Sequence, residues 1–117
     1  MAKVATTVEQ SKQLLKLGLD ADTADMFYPQ VDEGIYSDCA YPKECDAFRK
    51  QESDIPAWSL SALMEIVEDT FGKDFSYQEG EWQIIVWDTW FGYKRHYFEE
   101  LPNLVGWALE NGCLKNE

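Results

Sequence analysis

The sequence predicts an α+β fold: a small three-stranded antiparallel meander packed with about three helices, in the order α, loop, α, β, β, β, α. Three observations lead there. After Ser59 and before Gly72, the apolar residues Leu60, Leu63, Met64, Val67 and Phe71 recur at helical spacing. From Trp82 to Trp87 the chain is β-branched and aromatic, the composition of a strand. From Leu101 onward a second helical stripe follows through Leu104, Val105, Ala108 and Leu109. A length of 117 residues fits a single domain over 1–117. It is also enough chain to bury a core without disulfide or metal staples.

The first helix is expected to begin at Thr7, because Thr7-Val8-Glu9-Gln10 has the spacing of a capping box. Gly18 can take the left-handed conformation that ends it. Val8, Leu14, Leu15 and Leu17 supply a modest apolar face. Asp20 or Asp22 can cap a short second turn running through Ala24 and Met26. Residues 29–57 read as an irregular loop. They hold Pro29, Gly34, Pro42 and Pro56 and show no sustained period of two or 3.6, while Tyr36, Tyr41 and Phe48 can pin them to the body.

The second helix opens at Ser59, and Gly72 stops it. Phe75-Ser76-Tyr77 is a short strand, Glu79-Gly80 a turn, and Trp82 to Trp87 a strand with two largely apolar faces, as a central strand has. Asp88 to Gly92 then makes a turn, and Tyr93 to Phe98 a third strand. Pro102 suits the first turn of the last helix. Asn111-Gly112 closes that helix, with Cys113 and Leu114 folding back over its end.

Charge narrows the function. There are 22 acidic residues against 10 basic ones, a net charge of −12. Fifteen of the acids fall in two blocks, 17–42 and 52–93, separated by a small basic island, Lys43, Arg49 and Lys50. Such a chain is not expected to bind DNA, RNA or an anionic membrane directly. No apolar run approaches the length of a membrane span. An odd number of cysteines, Cys39, Cys45 and Cys113, without a secretory signal fits free thiols in a cytoplasmic protein.

The stretches Thr7 to Asp20, Thr23 to Met26, Ile55 to Leu63 and Trp107 to Gly112 together resemble a family of small uncharacterised proteins of Bacteroides-type gut bacteria. Its members often sit near prophage or conjugative-element genes. The resemblance covers most of the chain except 29–54 and the first hairpin. It implies a bacterial, mobile-element setting, and it carries over no activity, cofactor or site residue.

The residues themselves hold no catalytic constellation. Asp20-Ala21-Asp22-Thr23-Ala24-Asp25 invites a calcium-loop reading. Counted from Asp20, however, the fifth, sixth and twelfth positions are Ala24, Asp25 and Val31, where the loop needs an oxygen ligand, Gly and Glu. His96 with Asp88, Glu99 and Glu100 is the minimum for acid–base work, but no nucleophile motif accompanies it, and a packed strand histidine is the simpler expectation. One histidine and three irregularly spaced cysteines are too few for a zinc site. Catalytic residues, cofactors and metals are therefore all read as none.

Aromatic density is the least ordinary feature. Eight of the seventeen residues 82–98 are Trp, Tyr, Phe or His. Trp90 and Phe91 fall where a turn is expected, so they are the candidate partner-binding residues; alternatively, longer strands carry both rings into the core, or the rings cover a sheet edge. The leading expectation is a non-enzymatic protein-interaction module that binds an unknown protein or itself. The alternatives are an acidic mimic of nucleic acid that inhibits a DNA-binding protein, and a small-ligand binder or enzyme using a pocket beneath the 29–57 loop.

Overall fold

The computed structural model describes residues 5–43, 54–88, 90 and 92–114. Among them are three α-helices and eight short strands in three antiparallel sheets, a mixed α+β architecture. No helix among the described residues is long and apolar enough to cross a membrane.

Helix α1 spans Val8–Lys16. Its capping box closes reciprocally: the Gln10 N–H donates to Thr7 Oγ1 at 3.1 Å, and the Thr7 N–H donates to Gln10 Oε1 at 2.9 Å. Gly18, at φ +103°, turns its N–H back to Leu15 O at 3.0 Å. A single 3-10 turn, Ala21–Thr23, follows, with Asp20 Oδ1 accepting the Asp22 N–H at 2.9 Å. The turn does not continue through Met26 as expected, because Met26 opens strand β1, Met26–Tyr28.

The expectation of an irregular 29–57 loop is corrected for its described part. That part carries β2 (Gln30–Asp32), β3 (Ile35–Tyr36), β4 (Tyr41–Pro42) and β5 (Ile55–Ala57). Residues 44–53, with Cys45 and Phe48, lie outside the described residues. Strand β1 is the centre of a sheet ordered β4-β1-β5, so Phe27 lies opposite Tyr41 on one side and Pro56 on the other. Both prolines sit in edge strands, where a missing N–H costs no ladder bond. Strands β2 and β3 pair separately. Elements of two or three residues paired with distant chain show no periodicity for a reader to detect.

Helix α2 spans Leu60–Phe71, and Ser59 caps it by accepting the Ala62 N–H at 3.1 Å. Asp25 completes the cap: its carboxylate accepts the Ser59 N–H at 2.8 Å and the Ser59 hydroxyl. A negative charge at this end of the helix also complements the helix dipole. Leu63 and Val67 are buried, and Met64, Ile66 and Phe71 pack beside them. Leu60, expected in the buried stripe, is 46% exposed. It stands in the first turn, at the rim of an open groove shared with Trp58, Trp82 and Pro102.

The third sheet is ordered β6 (Phe75–Gln78), β7 (Glu81–Asp88), β8 (Gly92–Phe98), antiparallel throughout, with β7 in the centre. The β6–β7 turn places Glu79 at φ +52° and Gly80 at φ +83°, the two positive angles of a type I′ hairpin. Helix α3, Leu101–Glu110, buries Leu101, Leu104, Val105, Ala108 and Leu109. Past it the Cys113 N–H returns to Ala108 O at 2.8 Å and Leu114 is buried, which covers the helix end with an apolar residue.

The core gathers Leu14, Trp58, Leu63, Val67, Ile84, Leu104 and Val105. A buried polar cluster ties the segment before α1 to it. The Thr6 N–H donates to Trp58 O at 2.9 Å, the Trp58 N–H returns to Thr6 Oγ1 at 3.1 Å, and the Tyr28 hydroxyl donates to Thr6 O at 2.8 Å. The Trp58 indole N–H reaches Thr23 Oγ1 at 2.9 Å, so this fully buried ring leaves no donor unmet.

Candidate functional site

Alternation along β7 and β8 sorts their side chains onto two faces. The inner face holds Trp82, Ile84 and Val86 of β7 with His96 and Phe98 of β8. It is filled by rings: Phe75 stacks on Trp82 with centroids 5.7 Å apart, and His96 and Phe98 rest on Trp107 of α3 at 4.3 and 6.0 Å. These contacts complete the core from below.

The outer face holds Gln83, Ile85 and Trp87 of β7 against Tyr97, Arg95 and Tyr93 of β8, each pair directly opposite in the register. Trp87 is 64% exposed, and Tyr93 and Tyr97 are exposed beside it. Position is well defined despite the exposure. The Trp87 indole N–H donates to Asp74 Oδ2 at 3.0 Å, and its ring lies 5.3 Å from that of Tyr93. The Arg95 guanidinium approaches Gln83 Oε1 at 3.4 Å, over a Gln83 that is almost wholly covered. Beyond these, in the β7–β8 connection, Trp90 is 88% exposed. Phe91, the other candidate partner residue, lies outside the described residues.

The remaining candidates are placed as follows. His96 is half-buried, and burial, with Lys94 adding to it, holds its imidazole below the usual histidine range. It makes no hydrogen bond to Glu99 or Glu100 among the described residues, and its ring is a packing surface for Trp107. Asp20 and Asp25 are caps, Asp54 is buried and accepts the Gln30 N–H at 2.9 Å, and Asp74 holds Trp87. Cys39 and Cys113 are free thiols, and burial pushes the Cys113 thiol up. The cleft under the 29–57 segment, about 500 Å³, is bordered by Met26, Tyr28, Asp38 and Cys39. Its Tyr28 hydroxyl is tied to Thr6 O, and burial, then Cys39, raises its pKa.

No family model, curated protein or solved structure matches this chain. The surface chemistry is therefore the guide to function. That surface is larger than the Trp90–Phe91 tip singled out from sequence. The signal for the rest was present in the alternation of Gln83, Ile85 and Trp87 and of Tyr93, Arg95 and Tyr97. The register, which pairs the two sets, was not.

Proposed function

We propose that the protein is a non-enzymatic interaction module that binds a protein partner through the outer face of the β6-β7-β8 sheet and the Trp90 tip. One observation carries this reading. Trp87, Trp90, Tyr93 and Tyr97 are all more than half exposed while a separate set of rings fills the core. Trp87 and Tyr93 are in ring contact at 5.3 Å, and Tyr97 lies farther along the same face beyond Arg95. Trp and Tyr are also the residues that dominate binding energy at interfaces. A bacterial mobile-element setting and a cytoplasmic location belong to the same proposal, on the strength of the sequence resemblance.

The nucleic-acid mimic is less well supported. Asp20, Asp25, Asp54 and Asp74 come from the two acidic blocks, and all four accept hydrogen bonds from the protein itself. Each such carboxylate is drawn away from a phosphate-like array.

The test is a Trp87→Ser, Trp90→Ser double variant, used as bait in affinity capture beside the wild type. The expected result is loss of the captured protein, or of self-assembly, with the circular dichroism spectrum retained. An unchanged set of partners would overturn the reading.

A further inference from the structure

Strand β8 is the edge of its sheet, with β7 on one side and no strand among the described residues on the other. It runs seven residues and pairs with β7 from Asp88↔Gly92 to Trp82↔Phe98 without a register shift. Exposed edges are normally blunted by brevity, proline, a bulge or charged side chains. The other edges follow that rule: β4 and β5 contain Pro42 and Pro56, and β6 is four residues long. Strand β8 has neither brevity, proline nor bulge, and its charges, Lys94 and Arg95, leave the backbone row regular. It is a regular row of backbone donors and acceptors.

Charge marks this edge as well. Lys94 and Arg95 are the only Lys or Arg in 74–114, a stretch with seven acids. Being adjacent in a strand, they project to opposite faces. Both are exposed, Arg95 between Tyr93 and Tyr97 on the outer face and Lys94 on the other. A strand laid along this edge would meet a cation on each face.

We propose that the free edge of β8 takes up an extended acidic segment of a partner protein as a fourth strand. This rests on the reading of the sheet as an interaction surface and names the partner's chemistry. Backbone pairing supplies affinity in strand addition, and side chains next to the edge select the sequence. Acidic residues on both faces of the incoming strand would lie opposite Lys94 and Arg95, whereas like charges directly opposite repel. The same rule disfavours the self-pairings of β8 that are centred on its two cations. Antiparallel self-pairing centred on Arg95 sets Arg95 against Arg95 and Lys94 against His96. Centring it on Lys94, or between the two, sets cation against cation.

The test uses the full chain and two synthetic fluorescent peptides, one with adjacent Glu-Glu pairs between Val residues and one with adjacent Lys-Lys pairs between Val residues, so that each peptide presents its charge on both faces of a strand. The Glu peptide is expected to bind, to weaken as salt rises, and to slow hydrogen exchange at the β8 amides that face away from β7. A Lys94→Glu, Arg95→Glu variant is expected to lose roughly tenfold in affinity for the Glu peptide and to gain the Lys peptide. Both substitutions are at exposed positions, and circular dichroism checks that the variant is folded. No binding of the Glu peptide, or binding that leaves β8 exchange unchanged, overturns the proposal and leaves Lys94 and Arg95 as guards against aggregation. If capture of the natural partner depends on Trp87 and Trp90 but not on the two cations, the edge inference fails and the broader reading stands. If it depends on neither, both fail.

Discussion

Thr6 Oγ1 lies 2.7 Å from Ser11 Oγ, and both side chains are shut off from solvent. The same Thr6 oxygen accepts the Trp58 N–H at 3.1 Å, so one hydroxyl joins the segment before α1, α1 itself and the end of β5. Thr6→Val keeps the shape and removes the oxygen, leaving the Trp58 N–H and the Ser11 hydroxyl without this partner. The expected loss is about 1–3 kcal/mol in urea unfolding. Thr6→Val combined with Ser11→Ala should cost less than the sum of the two single changes, because the second removes a group the first had stranded.

Ser59 caps α2 and is itself held by Asp25. Ser59→Ala is expected to lower stability by about 1 kcal/mol, within the usual range for a lost N-cap. Asp25→Ala should destabilise too, and the double variant should fall short of additivity, since each change disables the same cap. Chemical denaturation of the three variants measures this. Strict additivity would show that the two act separately.

Glu79 occupies a left-handed position, φ +52°, that Asn tolerates better than Glu. Glu79→Asn is expected to raise stability by about 0.5–1 kcal/mol. Since Glu79 is exposed, no packing is lost to offset the gain. Thermal unfolding reads the result, and an unchanged or lowered midpoint would contradict it.

His96 predicts a pH dependence of definite sign. Its folded pKa lies below the ordinary 6.5, mainly through burial and secondarily through Lys94. The unfolded chain therefore takes up the proton first as pH falls. The stabilising term is fully present above pH 6.5 and is lost as pH falls from there through the lower folded value. His96→Phe, which keeps a ring against Trp107, should flatten this part of the stability profile. An imidazole titration by NMR should give a midpoint below 6.5 in the folded protein.

Local chemistry was the legible part of the fold. Thr7 with Gln10, Ser59, Gly72, Glu79-Gly80 and Asn111-Gly112 each mark an element boundary through their own hydrogen bonding or backbone angle, and the structure uses all of them. The β1, β4 and β5 strands were hidden for the opposite reason. Phe27 is strand because Pro56 and Tyr41 lie beside it, and nothing near Phe27 in sequence says so. Leu60 misled because helical spacing defines a face but not where that face runs off the core. The candidate surface was partly legible in the same way. The Asp88 to Gly92 turn signal placed Trp90 in a connection, whereas the outer row of Trp87, Tyr93 and Tyr97 needed the cross-strand register.

Trp58 is sealed in the core and Trp90 is 88% open. Among its five tryptophans the protein thereby carries two reporters of different events, read singly once Trp82, Trp87 and Trp107 are replaced by Phe. Acrylamide should quench Trp90 readily and leave Trp58 untouched until the chain unfolds. A molecule settling over the hairpin should shield Trp90 without altering the signal of Trp58, so binding and unfolding can be told apart by their own fluorescence, with no label attached.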